Sequence, residues 1–95
     1  MSKQIPANLR ERIRERDGGE CQYCFAPGAH LHHIAFGGTG RQRVHEEANI
    51  ITLCYPCHVI AHNSAKMRRW CEGWSRKHYG GRVDELKRKK WSVEK

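Results

Sequence analysis

Two Cys-x-x-Cys pairs, Cys21/Cys24 and Cys54/Cys57, are separated by 29 residues, and four thiolates are the number that a tetrahedral structural zinc site takes. Each pair can wrap a metal from a tight turn. Joining the pairs pins the ends of the intervening segment together, so zinc binding is expected to be part of folding. A redox dithiol is the competing use of such a pair, but no βαβ pattern surrounds either one. The stretch from Cys24 to His58 is too long for a finger built from one cysteine pair and one histidine pair. Cys71 is left over and is expected to be a packed or free thiol.

Setting those four cysteines aside leaves His32-His33, Asn49, His58 and His62. His58 and His62 are i and i+4, one turn apart on one helix face, a spacing that lets both rings approach a single ion. Val59-Ile60-Ala61 between them contains no glutamate, so this is not the His-Glu-x-x-His of a zinc protease. His32 and His33 point to opposite sides of an ideal strand, which suits two jobs, one ring toward a metal and the other toward a water. Both serve one site only at a strand end or bend. A neutral imidazole with a pKa near about 6.5 takes a proton from water near neutrality, and a divalent ion held by imidazoles is a Lewis acid. His30, His45 and His78 have no comparable spacing and are expected to be ordinary surface or core residues.

The elements that must position these residues follow from periodicity. Ile5, Leu9 and Ile13 recur every four residues among charged neighbours, predicting a helix over 6–17 that Pro6 begins and Gly18-Gly19 ends. His30 to Phe36 alternates as a short strand. Gly37 to Gly40 opens a loop, and Ala48 to Leu53 reads as a second strand running into Cys54. A helix starting near Pro56 or Cys57 carries His58 and His62. Beyond Ser64, Met67, Trp70 and Trp74 have helical spacing up to a break at Gly80-Gly81, and Val83, Leu86 and Trp91 mark a last amphipathic segment. The three tryptophans are expected to pack in the core, with base stacking as the competing role.

Ninety-five residues, 38% apolar and 29% charged, make a single domain spanning 1–95 with a thin core, which a bound metal can stabilise. It divides into the N-terminal helix, a zinc-clamped core over about 20–64 and a basic helical extension over 65–95. The net charge is +8, of which the first fifty residues hold +1 and the rest +7. Such a field favours a polyanion, nucleic acid before a membrane surface. No apolar run approaches the roughly 20 residues that span a bilayer. Met1 to Pro6 lacks a signal peptide's apolar stretch, so a cytoplasmic location and reduced thiols are expected. Lys66, Arg68 and Arg69 are candidate phosphate contacts, as are Arg41 and Arg43 in the hairpin loop.

Order, spacing and residue type from about Arg12 to His62 resemble the HNH nuclease family. The resemblance is carried by Arg16-Asp17-Gly18 before Cys21-x-x-Cys24, by Leu31-His32-His33-Ile34 with glycines after it, and by Asn49-Ile50-Ile51-Thr52-Leu53-Cys54-x-x-Cys57-His58-x-x-x-His62. It implies a small α+β fold, a treble-clef-like ββα-metal core stapled by a four-cysteine zinc, flanked here by helices. It further implies that His32 and His58 bind a catalytic divalent ion, with His62 matching a third ligand found in colicin-like members. His33 becomes the general base and Asn49 the brace of the loop that orients it. Manganese, nickel, cobalt, zinc or magnesium can serve as the catalytic ion. The implied substrate is DNA, double-stranded, cleaved to 5′-phosphate and 3′-hydroxyl ends. Small members of the family occur in phages beside packaging (terminase) genes and in bacterial defence elements. One site in a monomer nicks, whereas a homodimer cuts both strands. The rival reading is a zinc-dependent nucleic-acid-binding module of the same fold without catalysis.

Overall fold

Pro6 opens the first helix, α1 (Ala7–Asp17), by offering its carbonyl to the N–H groups of Leu9 and Arg10 at 3.1 and 3.0 Å. Gly18 closes it at φ 67°, a left-handed position that glycine takes without strain. Two four-residue strands follow, β1 (His30–His33) and β2 (Ile50–Leu53), with a single 3-10 turn at Glu47–Asn49 between them. The helices α2 (Tyr55–Asn63) and α3 (Ala65–Tyr79) complete the order, and 82–86 is again helical. The computed structural model describes residues 5–35 and 45–86. The candidate phosphate contacts Arg41 and Arg43, the glycine loop and Trp91 lie outside the described residues.

The strands pair antiparallel in the register His30 to Leu53, Leu31 to Thr52, His32 to Ile51 and His33 to Ile50. The outer edge of β2 is satisfied by α1 and the chain after it. Asp17 accepts the Thr52 N–H at 3.2 Å, and Gln22 donates its N–H to the Thr52 carbonyl at 3.0 Å. Both strands are shorter than the sequence predicts. Ala48 and Asn49 belong to the 3-10 turn, because the Asn49 N–H bonds to the Glu46 carbonyl at 2.9 Å rather than joining the ladder. Asparagine's side chain offers the backbone an alternative to the sheet at such a point.

The core gathers Ile51 and Leu53 of β2, Cys57 and Ala61 of α2, Met67 and Cys71 of α3, and Val83 and Leu86 beyond it. Ser64 ends α2 and caps α3, its hydroxyl accepting the Met67 N–H at 3.2 Å. Trp74 packs against this core as expected, whereas Trp70 stays 36% exposed. Of the α1 stripe only Ile13 is fully buried, while Ile5 and Leu9 are half-buried. The result is the expected small α+β arrangement of a two-stranded antiparallel sheet, helices and a four-cysteine cluster. No helix among the described residues is long and apolar enough to cross a membrane.

Candidate active site

Cys21 and Cys24 sit on a tight turn after α1, and Cys54 and Cys57 on the entry to α2. The turn is closed by Phe25 donating its N–H to the Cys21 carbonyl at 2.8 Å and by Cys21 donating its own to Ala26 at 2.7 Å. Phe25 takes φ 68°, a strained left-handed conformation for an aromatic residue, at the tip. Gly28 brings this turn against the other pair: a Cβ there would stand 2.9 Å from the Cys54 nitrogen and 3.0 Å from the Leu53 carbonyl oxygen. One sulfur from each cysteine falls within 4.8 Å of the others, and the Sγ atoms of Cys24 and Cys54 are 3.6 Å apart. Tetrahedral zinc thiolates place sulfurs about 3.8 Å apart, so the cluster can hold a zinc ion.

The thiol chemistry agrees. Burial raises the Cys21 thiol, but backbone N–H groups of Cys24, Cys54 and Tyr23 outweigh it and bring it down to about 6. Burial and the neighbouring thiols push Cys57 far up. Four sulfurs this close cannot all ionise without a cation among them, which is the condition a dication relieves. Cys71 stands apart as a fully buried thiol, raised to about 12 by burial and then by Glu72 and Cys21.

A second donor set lies where β1 meets α2. His32, buried at 2% exposure, faces His58 and His62 across the interface, and one ring nitrogen of each falls within 4.8 Å of the others. The Nε2 atoms of His58 and His62 are 3.1 Å apart, inside the spacing of about 3.0–3.4 Å expected of imidazole nitrogens on one ion. Burial, then the nearby imidazoles of His58, His62 and His33 and the Arg68 guanidinium, hold His32 down to about 3. Burial also lowers His58, with His62 and His30 adding to it. Both are therefore neutral imidazoles at physiological pH, the form that binds metal.

His33 is the last residue of β1, next to His32. It is 9% exposed, and its Nε2 lies 3.1 Å from Nδ1 of His45. Asn49 is wholly buried at the far side of the hairpin and hydrogen-bonds the backbone of Ala35, two residues beyond His33. Arg16 supports the turn that carries Asn49, donating to the carbonyls of Glu47 at 2.7 Å and Ile50 at 2.6 Å and to the Tyr79 hydroxyl at 3.1 Å.

Among the candidate phosphate contacts, Arg68 is half-buried, its Nη1 3.5 Å from the carbonyls of Ala61 and His62 at the end of α2. Lys66 and Arg69 are exposed and line a groove of about 460 Å³ with Tyr23, Ile60 and Trp70. They make no ion pair among the described residues. Two residues read from the sequence as ordinary prove to border the site. His45 meets His33, and His30 lies against His58 and Tyr55, with centroids 5.4 and 5.6 Å apart. The one signal for His30 was its place two residues before His32, on the same strand face.

The family model described as HNH endonuclease matches residues 21–64, the span from the first zinc-clamp cysteine to the end of α2. No curated protein and no solved structure matches the chain.

Proposed function

We propose that the chain, whose residues 21–64 match the HNH endonuclease family model, is a metal-dependent endonuclease that hydrolyses DNA phosphodiester bonds. The observation that carries this reading is the convergence of His32, His58 and His62 within 4.8 Å, with His33 the next residue on the same strand. A binding module has no use for such an imidazole triad and a separate histidine next to it.

In this reading His33 takes a proton from the attacking water as its oxygen bonds to phosphorus, and the bond from phosphorus to the 3′ oxygen breaks. The products are a 5′-phosphate and a 3′-hydroxyl, the latter completed by a proton from solvent. His32, His58 and His62 would hold a divalent ion, which would supply Lewis-acid neutralisation of charge on the scissile phosphate and the departing oxygen. Asn49 acts through the backbone, holding the exit of β1 so that His33 keeps its place. Zinc in the cysteine clamp is structural. Lys66, Arg68 and Arg69, with Arg41 and Arg43, neutralise phosphates of the bound duplex, so affinity falls steeply with salt.

The test is conversion of supercoiled plasmid by EDTA-treated protein with and without manganese, nickel or magnesium, wild type beside His33→Ala. Metal-dependent nicking that disappears in the variant, with zinc content and DNA binding retained, is expected. Cleavage by His33→Ala at the wild-type rate overturns the base assignment. A folded, zinc-loaded wild type that binds DNA and fails to cut whichever metal is added favours the non-catalytic binding module.

A further inference from the structure

Residues 45–49 are held more firmly than a hairpin connection requires. Glu46 forms a two-pronged ion pair with Arg82, Oε1 to Nε at 2.8 Å and Oε2 to Nη2 at 2.6 Å. Glu47 receives Nη1 of Arg12 at 3.0 Å through its carboxylate and Nη1 of Arg16 at 2.7 Å through its carbonyl. The Glu46 carbonyl accepts the Asn49 N–H at 2.9 Å. At the head of this clamped segment stands half-buried His45, with Nδ1 3.1 Å from Nε2 of His33 and the ring centroids 5.2 Å apart. Nitrogens at that distance share one proton, so the tautomer of each ring is tied to that of the other.

We propose that His45 is a positioning residue for His33: its Nδ1 accepts the Nε2–H of His33, fixing that ring and assigning the lone pair to Nδ1. The inference rests on the reading of His33 as general base and supplies the reason one of its two nitrogens does that work. A neutral imidazole left to itself samples both tautomers and flips about its bond to Cβ, presenting N–H as often as a lone pair. A base must present the lone pair. The opposite direction, with His45 donating to Nε2 of His33, occupies the His33 lone pair and leaves N–H at the other nitrogen, an arrangement that cannot take a proton. Partners that orient a working imidazole in this way are the general means by which its tautomer is set.

Long-range proton–nitrogen NMR on uniformly ¹⁵N-labelled, zinc-loaded protein reads the tautomer directly, with no need of activity. In the wild type His33 is expected in the Nε2–H form alone, and in His45→Ala as a mixture. On the same samples His45→Ala is expected to lower kcat for plasmid nicking by about 10- to 100-fold with KM and zinc content unchanged. His45→Asn, whose Oδ1 stands where Nδ1 stood, is expected to recover a single tautomer and most of kcat. A wild-type His33 in the Nδ1–H form, or a tautomer unmoved in His45→Ala, overturns the proposal. A wild type that shows the locked tautomer and does not cut overturns the endonuclease reading instead and leaves the pairing in place.

Discussion

The buried side-chain amide of Asn49 donates to the Ala35 carbonyl at 2.8 Å and accepts the Ala35 N–H at 2.7 Å, forming an extra rung beyond the end of the two-stranded ladder. The Ile34 N–H adds a third bond, to the Asn49 carbonyl at 2.8 Å. These contacts close the hairpin immediately past His33, where the backbone has left the sheet. Asn49→Ala leaves a buried donor and a buried acceptor unpaired and is expected to cost about 2–4 kcal/mol in denaturant unfolding of the zinc-loaded protein. Asn49→Asp keeps the acceptor but sets a carboxylate against the Ala35 carbonyl, so it should also fall well below wild type. Wild-type stability in both variants means that the rung contributes nothing.

Gly28 and Gly73 make a controlled pair. A methyl group at Gly28 meets the backbone of Leu53 and Cys54 at 2.9–3.0 Å, and backbone cannot swing aside as a side chain can. Gly28→Ala therefore separates the two cysteine turns, and an expected loss of about 1–3 kcal/mol is accompanied by weaker zinc retention in a competition with a chromophoric chelator. Gly73 lies inside α3 with open space where its Cβ would be. Gly73→Ala is expected to stabilise the protein by about 0.5–1 kcal/mol and to leave zinc retention alone. If the two variants shift together, the close approach at Gly28 is not what seats the clamp.

Arg16 connects α1 to the turn before β2 and to α3. Its guanidinium grips Asp17 with two bonds at 2.7 and 2.8 Å, donates to two backbone carbonyls and to Tyr79, and lies 4.8 Å from the centre of the Trp74 ring. A lysine keeps the charge but has no planar fork to serve these acceptors at once. Arg16→Lys is expected to lose about 2–3 kcal/mol through carbonyls left without a donor, read as an earlier denaturant midpoint with an unchanged slope. A midpoint equal to wild type shows that charge alone suffices there.

What could be read without coordinates was whatever short-range spacing encodes. The two Cys-x-x-Cys turns, the i, i+4 pair His58 and His62, and the alternation of His32 with His33 all lie within a few residues, so local geometry nearly determines them. Arg16 was invisible as a support because its partners Glu47 and Tyr79 are 31 and 63 residues away. The sequence pattern puts Asn49 at the head of a strand, yet it lies in the 3-10 turn whose bond to Glu46 sets its side chain against Ala35. His45 looked ordinary for the same kind of reason. It reaches His33 on a segment that Glu46 and Glu47 tie to distant arginines.

The neutral state of His32 gives the fold a pH dependence of known sign. Its pKa falls from an ordinary 6.5 to about 3 on folding, burial being the first cause. Between those values the unfolded chain binds a proton that the folded protein refuses, so the contribution of this residue is fully present above 6.5 and drains away as pH falls toward the folded value. A His32→Leu variant, which fills the site without a titratable group, lacks that slope. Denaturant unfolding of wild type and variant, both zinc-loaded and without added divalent ion, should therefore show wild type losing stability relative to the variant as pH drops from neutrality to just below 6.5. The range stops there because stronger acid also protonates the zinc thiolates and unfolds both proteins. A constant difference across the window means that His32 accepts its proton as readily folded as unfolded, and that burial does not hold it in the metal-binding form.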